Sequence, residues 1–332
     1  KVAGTYNVSK KASVSASLNY VSSGGNRPPS GDKSIFSALS YWPNTYNVND
    51  YLKADGTQYN VLPGFTDNPR YLVEKSPRVD KIDRLIGDVT LNYAINNWLS
   101  AKYQVTFDTF NETRSRQVDS TFDVGTAVKG FLVNEYLNYR EWNSNLYLTA
   151  KKDFNTNWSG SAMLGNSVVN SERPDSYYNR GEGWKAPFTN DLSSYRNQQT
   201  RFYSPAHFRI VSFFADAKLS YKDILYLNAT GRNDIVSTLP IANNSFFYPS
   251  FSAGYVFSEQ LPKSKILSYG KLRASWAQVG KGTDPYVTGS YYNITDNFPF
   301  GNTVPGYVRK TITADPNLKP ERTTSIEVGT EL

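Results

Sequence analysis

Residues 83–108 read DRLIGDVTLNYAINNWLSAKYQVTFD, and their alternation decides the fold. Leu85, Gly87, Val89, Leu91, Tyr93 and Ile95 are apolar or small, whereas Arg84, Asp88, Thr90 and Asn92 occupy positions between them. A period of two puts the two sets on opposite faces of a β-strand. Asn96-Asn97 supplies a turn. Beyond it Leu99, Ala101, Tyr103, Val105 and Phe107 alternate with Ser100, Lys102, Gln104, Thr106 and Asp108. One such hairpin also suits a soluble sandwich with a wet face, so the decision rests on its repetition.

Working outward, the pattern predicts about eleven strands, near 1–8, 12–21, 83–95, 98–108, 135–150, 158–169, 208–221, 224–232, 247–257, 269–279 and 322–332. Ser9 to Lys11, Asn96-Asn97, Lys152 to Asn157 and Lys222-Asp223 read as tight turns, and the link from Ser258 to Ser268 is slightly longer. Between them, stretches near 22–82, 109–134, 170–207, 233–246 and 280–321 are long and rich in Gly, Pro, Asn and aromatic residues. Structureless loops of that length are unusual inside a compact domain. Short turns alternating with long loops are the pattern of a transmembrane β-barrel, whose short turns face the periplasm and whose long loops face outward.

Composition agrees. Mean hydropathy is −0.53, and no run of about eighteen apolar residues occurs, which excludes helical spans. A barrel needs none, because only alternate residues touch lipid. The 15% aromatic content suits the girdles that amphipathic rings form at membrane interfaces, and Trp98 and Trp158, each just past a short turn, fit the periplasmic one. The competing reading packs the same rings inside a sandwich core. Zero cysteines exclude a disulfide scaffold and thiolate metal sites. The net charge of +7 is spread over loops and polar strand positions without a basic helix or zinc module, so nucleic acid is a poor partner. A basic lumen and an anionic lipid surface explain the charge more economically. Nothing at the start resembles a signal peptide, since Lys1 to Val8 already reads as a strand. An odd set of strands beginning and ending in mid-pattern cannot close in lipid, so the expectation is part of a longer chain.

A family resemblance becomes specific in the second half. Gly270 to Gly280 (GKLRASWAQVG) resembles the K-[LV]-R-A-S-[YW]-x-Q-x-G strand of SusC/RagA-type TonB-linked outer-membrane transporters. Asp315 to Thr324 (DPNLKPERTT) is similar to the N-P-x-L-K-x-E-x-[ST]-T motif that precedes a strand in TonB-dependent barrels. Tyr221 to Arg232, Ser237-Thr238-Leu239-Pro240 and Phe247 to Gly254 resemble the same barrel. More loosely, so do Asn26 to Pro29, Asp67 to Leu72 and Asp83 to Gly87. No stretch resembles the family's plug domain, carboxypeptidase-like extension or TonB box. The resemblance implies that residues 1–332 are part of one barrel domain, about half of a roughly 22-stranded wall. It also implies active import of a glycan or oligopeptide, a SusD-like surface lipoprotein as lid, and TonB as the energy source acting through a plug outside this sequence.

The chemistry-bearing residues each have a plainer role. Asp315 to Thr324 most simply re-enters the membrane, with Pro316 and Pro320 keeping it out of a ladder. Gly280-Lys281-Gly282 lacks the strand-to-helix context of a phosphate loop. His207 is the sole histidine, which leaves a Ser/His/Asp site formally open but reads as an interfacial residue. Asp119 with Asp123, or Glu182 with Asp191, could flank a glycosidic bond, and Asp50 with Asp55 could meet calcium. Solvated loop carboxylates are the simpler account of all three pairs, so no catalytic residue, metal or cofactor is expected. Aromatic loop residues beside small and amide side chains suit sugar rings or extended peptides. Tyr41, Trp42, Tyr177, Tyr178 and Trp184 are the candidates for substrate contact. The alternatives are a passive porin, a barrel enzyme or a structural outer-membrane protein.

Overall fold

The computed structural model describes residues 1–31, 34–120, 122, 130–185, 191–203, 205–262, 267–290, 292–295, 306–309 and 314–332. Eleven strands form one continuous antiparallel path: β1 (Val2–Asn7), β2 (Ala12–Asn26), β3 (Arg78–Ala94), β4 (Leu99–Val118), β5 (Phe131–Asp153), β6 (Trp158–Arg173), β9 (Ala206–Tyr221), β10 (Leu225–Val236), β11 (Ser245–Tyr255), β12 (Lys271–Lys281) and β15 (Glu321–Glu331). Each corresponds to a strand expected from the alternation. Between β6 and β9, β7 (Tyr177–Trp184) and β8 (Tyr195–Phe202) form a hairpin that pairs with the start of β5. The separate ribbon of β13 (Tyr292–Thr295) and β14 (Gly306–Arg309) lies between β12 and β15.

Register turns the alternation of single strands into two chemically distinct faces. One row runs Ala12, Tyr93, Ala101, Leu148, Leu164, Ala215, Gly231, Pro249 across eight strands. Another, on the opposite face, runs Ser15, Thr90, Gln104, Asn145, Ser167, Ser212, Asp234. A slip of one residue in any pair would exchange the faces, so the shared register is itself evidence that one face is selected for an apolar solvent. Leu164 is 62% exposed and Val328 83%. In water such a continuous apolar surface would be an aggregation site, whereas in a bilayer it is the solvated state. At the short-turn end this face carries Tyr93, Trp158, Tyr221 and Tyr255, with the Trp158 and Tyr221 rings 4.6 Å apart. This is the expected girdle. Among the described residues no helix is long and apolar enough to cross a membrane.

The short turns are built from local side-chain chemistry. Asn96 Oδ1 accepts the N–H groups of Trp98 and Leu99 at 3.0 and 2.8 Å, and Asn155 Oδ1 those of Asn157 and Trp158 at 2.9 Å each. Ser9 Oγ repeats the device with Lys11 and Ala12. Turn-forming side chains of this kind satisfy backbone donors that the ladder cannot reach. At Lys222-Asp223 both residues have positive φ, 51° and 57°, and Ile224 N–H donates to Tyr221 O at 2.9 Å. That is a type I′ turn, whose twist matches the strands it joins.

The strands near the long loops run further than the alternation predicts. β3 begins at Arg78 rather than 83, β4 continues to Val118 rather than 108, and β5 starts at Phe131 rather than 135. The apolar face ends near Leu85, Phe107 and Trp142, and beyond it Asp83, Asn111 and Asn138 occupy the same face. Water can solvate both faces there, so the ladder continues after the hydrophobic pattern stops. The stretch near 22–82 is not structureless either. It holds α1 (Ile35–Tyr41) and α2 (Pro69–Lys75), whose starts are capped by Ser34 and Asn68. Asn68 with Pro69 at the first helical position is a standard helix start.

Candidate substrate-binding surface

The polar face at the long-loop end is where a ligand arriving from outside would first meet the wall. Two small cores shape it. Tyr71 and Leu72 of α2 and Ala38 of α1 pack on Val118 of β4, Phe131 of β5 and Phe122, with Tyr71 fully buried. Val118 and Phe131 lie opposite each other in register on the polar face, so residues 27–77 fold inward over the upper ends of β4 and β5. Gln58 locks this fold by donating to Asp67 Oδ1 and accepting the Asn68 N–H, each at 2.8 Å. The second core joins Val236, Leu239 and Phe246, with Ile210, Tyr248 and Leu318 against it.

Between β3, β4, β5 and β7 lies a cavity of about 490 Å³. Its walls are ionic. Arg27 grips Asp80 with Nε and Nη2 at 2.8 and 2.9 Å, Arg114 grips Glu112 at 2.5 and 3.0 Å, and Arg180 Nε meets Glu182 at 2.5 Å. Glu135 accepts from Tyr203 Oη at 2.9 Å and lies 3.6 Å from Arg114. Arg116 and Arg180 both lie over the Phe131 ring, 5.1 Å from its centroid, a cation–π arrangement that fixes the guanidinium planes. Burial, then the neighbouring Arg78 and Arg180, push the Arg116 pKa down. This region lies beyond the apolar belt, in the extended ends of the strands.

The five aromatic candidates do not gather in one patch. Tyr41, at the end of α1, is exposed and meets the edge of Phe65 at 5.0 Å. Trp42 is buried, and its indole N–H donates to Tyr46 O at 3.1 Å. Tyr177 and Tyr178 are adjacent in β7 and therefore point to opposite faces. Tyr177 stacks on Tyr136 at 4.7 Å on the outward side, while Tyr178 lies 5.8 Å from Tyr203 on the side of the cavity. Trp184 meets Tyr195 edge-on at 6.4 Å. The arginine cavity was missed because no local motif marks it. Arg78 and Arg116 are 38 positions apart and meet only through the β3–β4 register.

The other chemical candidates have plain partners. His207 Nε2 lies 2.9 Å from Asn170 Oδ1, opposite Glu172 in register. Asp191 caps a short 3₁₀ turn through Ser193, and Asp55 accepts from Thr57 N–H and Oγ1 at 2.9 and 2.6 Å. Asp123 lies outside the described residues. Among the described residues no cluster of three His, Cys, Asp or Glu side chains could hold a metal. Asp315 to Pro320 does lead into β15, as expected of a re-entry segment, with Leu318 tucked against the second core and Asn243 Nδ2 donating to Asn317 O at 3.1 Å.

Comparison with known proteins agrees with this architecture. Residues 15–332 match the family described as TonB dependent receptor-like, beta-barrel. TonB-dependent receptor P26 of Formosa agariphila is 33% identical over 143 residues, 41% of this chain and 14% of that protein. The RagAB peptide transporter structure superposes with a TM-score of 0.78 at 15% identity, covering 98% of this chain and 37% of its own. The siderophore receptor PiuA from Acinetobacter baumannii gives 0.54 at 13%, covering 98% and 46%. The chain thus spans less than half the length of each of these relatives, and at such identities the solved structures speak for the fold alone.

Proposed function

Because the chain belongs to the TonB dependent receptor-like β-barrel family, we propose that it forms part of the wall and outer mouth of a SusC/RagA-type outer-membrane transporter, within a single barrel domain. The whole protein would import a large nutrient, a glycan or an oligopeptide, with TonB supplying the energy and a SusD-like surface lipoprotein closing the mouth. The observation that carries this reading is the pairing of two features. An apolar face kept in register across the sheet fits outer-membrane lipid, and residues 27–77 fold inward over the polar face at its long-loop end. A wall that narrows its mouth with a folded loop suits selective uptake better than free diffusion through a passive pore. No side chain here is assigned a catalytic step.

The roles divide along the strands. The polar face, with its cross-strand Arg84–Asp108 ion pair and the Arg232–Asp234 pair within β10, would line the path, and the aromatic candidates Tyr41, Tyr178 and Trp184 would meet substrate at the mouth. Deleting the gene in its host should abolish growth on the substrate as sole carbon source, and deleting TonB should do the same with the barrel intact. Uptake that persists without TonB would replace this reading with a passive porin.

A further inference from the structure

The cavity beneath the β7 hairpin has a charge pattern of its own. Five arginines and three carboxylates line it. Each carboxylate already has a partner: Asp80 is held by Arg27, Glu112 by Arg114, and Glu135 by Tyr203 and Arg114. Arg180 is paired with Glu182. Among the described residues no carboxylate pairs with Arg78 or Arg116, which stand directly opposite each other in the β3–β4 register. Like charges directly opposite are destabilising, and the half-buried Arg116 side chain bears that cost beside a second cation. The arrangement is relieved by an anion placed between the two guanidinium groups.

We infer that this cavity is a subsite for an acidic sugar residue of the imported oligosaccharide, one bearing a uronate carboxylate or a sulfate ester. The inference rests on the import reading above and names the substrate class for it. Guanidinium forks match the paired oxygens of either group, and Phe131 holds the Arg116 and Arg180 planes in place before the ligand arrives. The volume of about 490 Å³ falls within the range of small-molecule pockets. It is more than a single acidic side chain on an extended peptide would fill, which favours the ring over the peptide.

The test uses the full-length transporter purified in detergent, with any lid protein that accompanies it. Dissociation constants are measured for oligogalacturonate, a sulfated galactan oligosaccharide, a neutral malto-oligosaccharide and oligoglutamate of matched length. One or both acidic sugars should bind the wild type, with affinity falling as salt rises. Arg78→Gln/Arg116→Gln should weaken that binding at least about tenfold, and Arg116→Lys, which keeps the charge without the fork, by a smaller factor. Lys10→Gln/Lys11→Gln, the same loss of two positive charges at a distant short turn, should have little effect. Matching thermal melts would establish that the variants are folded, and Arg116→Lys gives a second reading if the double variant is not.

Which acidic sugar binds distinguishes carboxylate from sulfate recognition. Failure of both acidic sugars to bind, or equal binding by the double variant, would overturn the subsite. Preference for oligoglutamate that depends on Arg116 would reassign the cavity to acidic peptide and overturn the sugar. None of these measurements requires TonB, so they fail independently of the transport reading.

Discussion

Tyr71 and Leu239 each anchor a small core on the polar face at its long-loop end, yet the two cores are built in opposite ways. Around Tyr71, a loop brings its own helices and lays them on Val118 and Phe131. Around Leu239, the strand ends supply most of the apolar surface, and the connecting loops contribute two residues, Leu239 itself and Leu318. The first core can therefore be removed while the wall remains, because β4 and β5 keep their ladder without it. The second is continuous with the wall, since Val236, Ile210, Phe246 and Tyr248 belong to β9, β10 and β11. This difference predicts that the first region can open while the wall stays folded, whereas the second can open only with the strand ends.

The strongest attempt to break the contrast is Tyr71→Ala. Truncating a fully buried aromatic residue costs about 3–5 kcal/mol, and here the loss should fall on residues 27–77 alone. Hydrogen exchange in α2 should become fast while β4 and β5 remain protected, and the heat-modifiable migration of the barrel should not change. Loss of protection in the strands would mean that the loop core holds the wall together.

Leu318→Ala should show the opposite distribution with a smaller effect. Leu318 is only half-buried, so its loss should cost about 1–2 kcal/mol. The exposure should spread to the ends of β10 and β11 rather than stay in the segment that leads to β15. Trp42→Phe probes the first region more gently, because it removes the indole donor to Tyr46 O and keeps most of the ring. A cost of about 1 kcal/mol, read as faster exchange between α1 and residue 50, would fit.

The sequence made the second region legible and left the first obscure. Ser237-Thr238-Leu239-Pro240, Phe247 to Gly254 and Asp315 to Thr324 are separate motifs that meet at Leu239, Tyr248 and Leu318. Period two located all eleven wall strands because each must present one face to lipid. It failed beyond Leu85 and Phe107, where water wets both sides and no hydrophobic pattern is needed. The helix start at Asn68-Pro69 was readable from its capping chemistry, although it stood within a stretch expected to be loop. The arginine cavity was not readable, since Arg78, Arg116 and Arg180 come from three strands and only register unites them. Aromatic content marked Tyr177 and Tyr178 together, but a strand sends neighbours to opposite faces.

The smallest effect probes the tip of the hairpin beside the first core. Asp191 accepts from Ser193 Oγ and N–H at 2.7 and 2.9 Å, and these two hydrogen bonds hold its carboxyl below the usual carboxylate range. A depressed folded-state pKa gives stability that is present above the unfolded value, near 3.9, and that is lost as pH falls through the folded one. Acidification below about pH 4 should therefore loosen residues 192–195 first. Amide exchange at Ser193 and Ser194 should rise at low pH relative to the intrinsic rate, while Phe131 to Tyr136 of β5 stay protected. Ser193→Ala removes the larger of the two causes and should move the onset to higher pH. If the onset stays where it was, the hydroxyl does not hold the cap, and the hairpin tip owes its order to Tyr195 packed beneath it.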